Sequence, residues 1–172
     1  MIGAFSTRRG AAFIADDRLV TLDFTQASGA QFVFGFHEPA QDDLMWLATD
    51  RGLLRVRPSD GQARPVDPGA RLPLLKAFSV LEDDDGNFWL AGNRGVMRVP
   101  VHEAMAAADG GAPPSYALFD EADGMLNAQA NGASGPAATR RADGSLAFAT
   151  ARGLALVHPD RLADSRNLRP AV

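Results

Sequence analysis

The chain has no cysteine, which excludes disulfides, thiolate zinc sites and thiol catalysis but leaves the compartment open, since an oxidising compartment permits disulfides without requiring them. No apolar run approaches the roughly 20 residues that a membrane-spanning helix needs. The start Met1-Ile2-Gly3-Ala4-Phe5 has neither the basic residues nor the long apolar stretch of a signal peptide, so neither a leader nor an anchor is expected. Positive charge is in deficit, with 17 Lys and Arg against 21 Asp and Glu, and the resulting net charge of -4 argues against a nucleic-acid or anionic-membrane partner. A Gly-x-Ser-x-Gly elbow, a phosphate loop and a dinucleotide fingerprint are all missing, so no cofactor is expected.

What the sequence does contain is a repeat. A Thr or Gly, any residue, then Arg-Gly and an apolar run recur as Thr7-Arg8-Arg9-Gly10, Thr49-Asp50-Arg51-Gly52, Gly92-Asn93-Arg94-Gly95 and Thr150-Ala151-Arg152-Gly153. The four turn glycines lie 42, 43 and 58 residues apart. Intervals near 40 belong to propeller blades or helical arrays, and strand and turn signals decide for the former. In the third unit, Phe78-Ser79-Val80-Leu81 reads as a strand, Asp83-Asp84-Asp85-Gly86 as a turn, and Asn87-Phe88-Trp89-Leu90-Ala91 as a second strand. Asn93-Arg94-Gly95 then turns the chain into a third strand, Val96-Met97-Arg98-Val99. The second unit repeats the scheme over Phe32 to Phe36, Leu44 to Ala48 and Leu53 to Val56, and the fourth over Ser145 to Ala149 and Leu154 to Val157. Leu44 to Ala48 is apolar at almost every position, as suits a sheet covered on both faces.

Outer strands are weaker: Gln62 to Val66, where Pro65 suits an edge, and Ser115 to Phe119. The long interval holds Val101 to Ala108, an Ala-rich stretch before Asp109-Gly110-Gly111 that predicts a short helix near 102–108. Matching Thr7 to Thr49 places Met1 inside a turn, so the first unit lacks its innermost strand and the last lacks an outer one. The expectation is an all-β chain: a partial β-propeller of about four antiparallel blades, two complete and two incomplete, over 1–159. The units fall near 1–27, 31–70, 77–120 and 136–159, followed by a linker over 160–172. An open arc would expose two apolar blade faces, which predicts self-association.

These units resemble the two-component-regulator propeller repeat of bacterial hybrid histidine kinases and related diguanylate cyclases. Val80-Leu81-Glu82-Asp83-Asp84-Asp85-Gly86-Asn87-Phe88-Trp89-Leu90-Ala91-Gly92-Asn93-Arg94-Gly95-Val96-Met97-Arg98-Val99 is similar to that repeat's Asp-x-x-Gly-x-apolar-Trp core and Gly-apolar-x-Arg ending. Asp123-Gly124-Met125 through Asn131-Gly132, followed by Asp143-Gly144, Gly153-Leu154 and His158-Pro159-Asp160-Arg161-Leu162, resembles the last blade before such sensors' β-sandwich module, which Asn167 to Val172 would enter. Ala4 and Ala147 depart from the pattern, standing where Trp is expected. The resemblance implies the carboxy-terminal part of a periplasmic sensor propeller, either trimmed or read from a shortened or misassigned frame, with the rest of the parent protein as its partner.

Trp46 and Trp89 recur at one place in successive units, which marks them for packing between blades. Arg9, Arg51, Arg94 and Arg152 are either solvated turn residues or a ring of positive charge able to hold an anion. Glu82 to Asp85 lacks the alternation of a calcium loop. His37 and His102 each precede a Glu, but neighbours in a strand face apart, and no second His has ligand spacing; His158 caps a blade. No metal ligands and no catalytic residues are expected. Asn127, Gln129 and Asn131 form the best candidate for a ligand-facing loop, where amides can bind sugar hydroxyls. The leading reading is a non-catalytic, ligand-binding sensor fragment for a small molecule, carbohydrate among the candidates. The alternatives are a carbohydrate-active hydrolase or lyase using Glu82, Asp83, Glu121 and Asp123, and a protein-interaction scaffold.

Overall fold

The computed structural model describes residues 4–7, 10–15, 18–22, 24–39, 43–59, 61–74, 76–132 and 135–162, with the backbone alone for 4–7, 10 and 13–15. Among these residues four antiparallel sheets follow one another along the chain. The first has three strands, β1 (Ala4–Thr7), β2 (Gly10–Ala15) and β3 (Arg18–Leu22). The second and third have four each: β4 (Val33–His37), β5 (Met45–Thr49), β6 (Gly52–Arg57) and β7 (Gln62–Pro65), then β8 (Ala77–Glu82), β9 (Asn87–Gly92), β10 (Gly95–Pro100) and β11 (Ala117–Phe119). The last has β12 (Ala138–Arg140), β13 (Leu146–Thr150) and β14 (Gly153–Val157). Sequential strands are neighbours within every sheet. The arrangement is a partial propeller-like fold with two whole units flanked by two short ones, as the spacing of the repeat predicts.

The unbroken apolar runs have a direct structural meaning. Strand β5 is buried along its whole length because its alternate side chains serve different neighbours. Met45 and Leu47 join a core with Leu22, Phe24 and Val33, while Trp46 and Ala48 join one with Phe88, Leu90 and Met97. Strand β9 repeats the division, with Phe88 and Leu90 facing the second sheet and Trp89 and Ala91 packing with Leu146 and Phe148 of the fourth. Both Trp side chains are almost wholly buried, and Trp46 meets Phe88 edge-on with ring centroids 4.7 Å apart. Each such large side chain removed from water stabilises the stack by about 1.5–3 kcal/mol.

Turn chemistry sets the register. In Thr49-Asp50-Arg51-Gly52 the Thr49 hydroxyl donates to Gly52 O at 2.8 Å and accepts from Arg51 N at 3.1 Å. Thr150 does the same with Gly153 O and Arg152 N. The third copy carries Gly92 instead, because a Cβ there would lie 2.1 Å from Lys76 O; close approach of the preceding loop replaces the hydroxyl staple. At the other end of the third unit, Asp83 accepts from Asp85 N, Asn87 N and, at 2.6 Å, the buried Trp89 Nε1.

Among the described residues three α-helices interrupt the sheets. α1 (Thr25–Ser28) links the first two sheets, α2 (Val101–Ala108) is the helix read from the Ala-rich insertion, and α3 (Pro159–Leu162) follows β14. The linker expected from Asp160 therefore opens as a helical turn, with Leu162 packed on the third core. Its remaining residues, 163–172, lie outside the described ones, as do Met1 and Arg9.

Candidate functional site

The hairpin turns carrying Arg51, Arg94 and Arg152 follow β5, β9 and β13, so all three stand at one end of the arc, one per sheet. Their side chains are exposed and have no hydrogen-bonding or ionic partner among the described residues. The same end receives the segment from Asn127 to Gly132. Ala130 N donates to Gly92 O at 2.9 Å, Asn131 N to Ala149 O at 2.9 Å, and Ala151 N to Gln129 O at 2.9 Å. This stitches the segment across the ends of β9 and β13. Asn127 turns inward on itself, its Oδ1 accepting from Gln129 N at 3.0 Å, an Asx turn. Gln129 Nε2 donates to Ala130 O.

Gln129 and Asn131 line an open cleft of about 620 Å³ with Phe34, Phe78 and Thr150; Asn127 does not contribute. The two rings come from the innermost strands of adjacent sheets, and each occupies a β-bulge. Val33 pairs with Thr49 and Gly35 with Ala48, leaving Phe34 as the extra residue. Ala77 pairs with Gly92 and Ser79 with Ala91, leaving Phe78 as the extra residue. A bulge re-aims its side chain out of the pleat. The rings of Phe34 and Phe78 meet edge-to-face at 5.2 Å, and Phe32 stacks on Phe34 at 6.4 Å. Phe32 and Phe34 remain 48% and 36% exposed, unlike the Trp pair. Gly132 admits this packing, since a Cβ on it would lie 2.4 Å from the Phe78 ring.

The candidate acids are each held in local structure. Asp83 is buried as the turn anchor described above. Glu82 Oε2 lies 2.7 Å from His37 Nε2 across the contact between β4 and β8. Glu121 Oε1 accepts from Ala128 N at 2.7 Å. Asp123 Oδ2 accepts from Asp120 N in a reciprocal cap of the short 3-10 turn Glu121–Asp123. The contact between His37 and Glu82, 45 residues apart, is a pairing that looking only at the adjacent Glu38 misses. His102 is exposed on α2 rather than on a strand, and its Nε2 lies 3.9 Å from Glu103 Oε1, so the expectation that strand neighbours face apart does not apply to it; His158 uses its carbonyl to receive Arg161 N. No group of three or more His, Asp or Glu capable of holding a metal occurs among the described residues.

Two arginines outside the turns form a second regular device. Arg55 lies opposite Trp46 and Arg98 opposite Trp89 on neighbouring strands. Both are buried. Arg55 reaches the end of α2, donating to Met105 O at 3.3 Å and gripping Asp109 with both terminal nitrogens. Arg98 lies over the Trp89 ring and donates to Leu162 O at the end of α3. In each case the arginine of one sheet closes the carboxyl end of the helix that follows the third strand of the next. The Gly-apolar-x-Arg ending held this signal, but its target lies in an insertion of variable length.

No family model matches the chain, and no curated protein does. Solved structures do. Two crystal structures of the extracellular domain of BT4673 from B. thetaiotaomicron, described as a one-component and as a hybrid two-component system, align over 90% of this chain. They do so at 15% and 14% identity with TM-scores of 0.62 and 0.61. PorZ, a surface component of the type-IX secretion system of Porphyromonas gingivalis, aligns over 88% at 16% identity and a TM-score of 0.59. The chain shares their fold. The resemblance to two-component sensor propellers therefore holds at the level of architecture. This chain spans about a fifth of each matched chain, 19% to 22%. Among the described residues no helix is long and apolar enough to cross a membrane.

Proposed function

We propose that the chain is part of a sensory, ligand-binding module of a bacterial signalling protein, working outside the cytoplasm and doing no chemistry on its ligand. The observation that carries this reading is the pair of matched bulges that turn Phe34 and Phe78 toward the amides of Gln129 and Asn131. Rigid aromatic faces beside amide donors and acceptors suit a ligand with an apolar ring face and a hydroxylated edge, which is the chemistry of a saccharide. Arg51, Arg94 and Arg152 at the same end favour an acidic one. The cleft draws on three successive sheets, so a ligand there bears on their relative placement, which is the property a sensor needs. The fold shared with the BT4673 extracellular domain supports the signalling context.

A screen of neutral and acidic oligosaccharides, read both by thermal shift and by product analysis, tests the reading. Stabilisation without product is expected. Release of a cleaved saccharide would instead favour a hydrolase or lyase.

A further inference from the structure

In each of the two whole sheets a fourth strand, β7 or β11, lies outside the third. The fourth sheet stops at β14, and among the described residues no strand pairs with its far edge. A groove of about 650 Å³ runs there instead. It touches all four consecutive residues Leu154, Ala155, Leu156 and Val157. Such neighbours point alternately to opposite faces, so the groove follows the edge of β14 rather than either face. Leu118 and Phe119 of β11 form another wall, and Leu162 of α3 also lines it. A strand edge with unpaired N–H and C=O groups beside apolar walls is a template for one more strand.

The sequence holds a segment that fits. β7 and the residue after it read Gln62-Ala63-Arg64-Pro65-Val66, and the chain near its end reads Asn167-Leu168-Arg169-Pro170-Ala171: amide, apolar, Arg, Pro, apolar in both. In the second sheet Ala63 lies opposite Val56 and Pro65 opposite Leu54. Ala63, Val56 and Leu54 all turn to the core with Leu22 and Phe24, and Pro65 suits a strand with nothing beyond it. Counted from the turn glycines Gly52 and Gly153, the same register sets Leu168 opposite Val157, Arg169 opposite Leu156 and Pro170 opposite Ala155. Val157 and Ala155 face the third core, as their counterparts in β6 face theirs. The route matches as well. β10 runs into α2, whose end Arg55 holds, before the chain returns as β11, and β14 runs into α3, whose end Arg98 holds. Leu162 already lines the groove, so residues 163–166 have only to turn the chain back.

We propose that residues 167–170, which lie outside the described ones, dock in this groove as the outer strand of the fourth sheet, antiparallel to β14 and in the register of β7. Leu168 and Pro170 enter the groove beside Val157 and Ala155, and Arg169 stays in solvent. The strand covers the edge of β14 and leaves open the face that carries Leu154 and Leu156. The resemblance that sends Asn167 to Val172 into a following module predicts the opposite, an edge left unpaired by this segment. The strand is independent of the cleft over Phe34 and Phe78, and no saccharide enters its test.

Because the chain has no cysteine, paired substitutions report proximity without background. Val157→Cys with Leu168→Cys sets two thiols directly opposite each other, at a backbone separation that a disulfide can bridge. Val157→Cys with Arg169→Cys sets them on opposite faces. Under mild oxidation of the whole chain the first variant is expected to lose both thiols within single molecules, while the second keeps them over the same time. Equal thiol loss in the two variants, or a bond that joins two chains, would overturn the proposal. Leu168→Asp leaves every described residue in place and provides a test free of cysteine. Hydrogen exchange at the amides of β14 should then run roughly tenfold faster or more than in the wild type, through loss of one buried leucine. Exchange unchanged at β14 would also overturn it.

Discussion

Asp83 organises more of the third sheet than its place in a turn suggests. One oxygen closes the Asp83-Asp84-Asp85-Gly86 turn on Asp85 N and Asn87 N, and the other receives the indole N–H of a fully buried Trp89. Asp83→Ala leaves that N–H buried and unpaired, which costs about 1–3 kcal/mol. Urea unfolding should therefore show a lower midpoint with an unchanged slope. Asp-Asp-Asp-Gly was legible as a turn because turn chemistry is local. Its reach to Trp89 was not, since that depends on which way the indole faces once the third and fourth sheets are stacked. Phe34 and Phe78 mark the same boundary: in the sequence both are ordinary strand residues, because a bulge is a property of the pairing of two strands and leaves no mark in either one alone.

At the scale of the element, the repeat made the strands, hairpins and helix α2 readable. The Ala-rich run Val101–Ala108 stops where Gly110 takes a φ of +90, as its sequence indicates. Helices α1 and α3 escaped because four residues are too few to show a helical period. The arginines that close α2 and α3 escaped because their partners are 50 or more residues away. Arg55 holds the Asp109 carboxyl below its ordinary pKa, chiefly through their hydrogen bond. A carboxyl whose folded pKa is depressed contributes stability that is complete above its unfolded pKa and lost as pH falls through the folded one, here below about pH 4. Arg55→Met should lower the melting temperature at neutral pH and flatten its decline across that acid range. A melting curve with the wild-type acid decline would show that Asp109 does not depend on Arg55.

For the molecule as a whole, the register of Thr-x-Arg-Gly located two whole units and two short ones, and the sheets follow that plan. The two terminal sheets present leucines away from their cores. Val20 and Leu22 pack inward from β3 while Leu19 is 67% exposed; Ala155 and Val157 pack inward from β14 while Leu154 and Leu156 are 68% and 54% exposed. Such faces favour association, so light scattering on the chain in isolation should find a dimer or larger species, and Leu154→Lys with Leu156→Lys should shift it toward monomer. A wild-type monomer at all concentrations would show the faces to be harmless. The candidate site was half legible: Gln129 and Asn131 could be named from their amides, but the rings that complete the cleft come from sheets two and three, which only the stacking brings to them. Calorimetric titration with the best saccharide from the screen, on the wild type and on Phe34→Ala and Asn131→Ala, tests this most directly. Binding should weaken roughly tenfold or more in both variants while their melting temperatures stay near the wild-type value. Equal affinity in all three proteins, or no saccharide binding at all, would contradict a sensor site at this cleft.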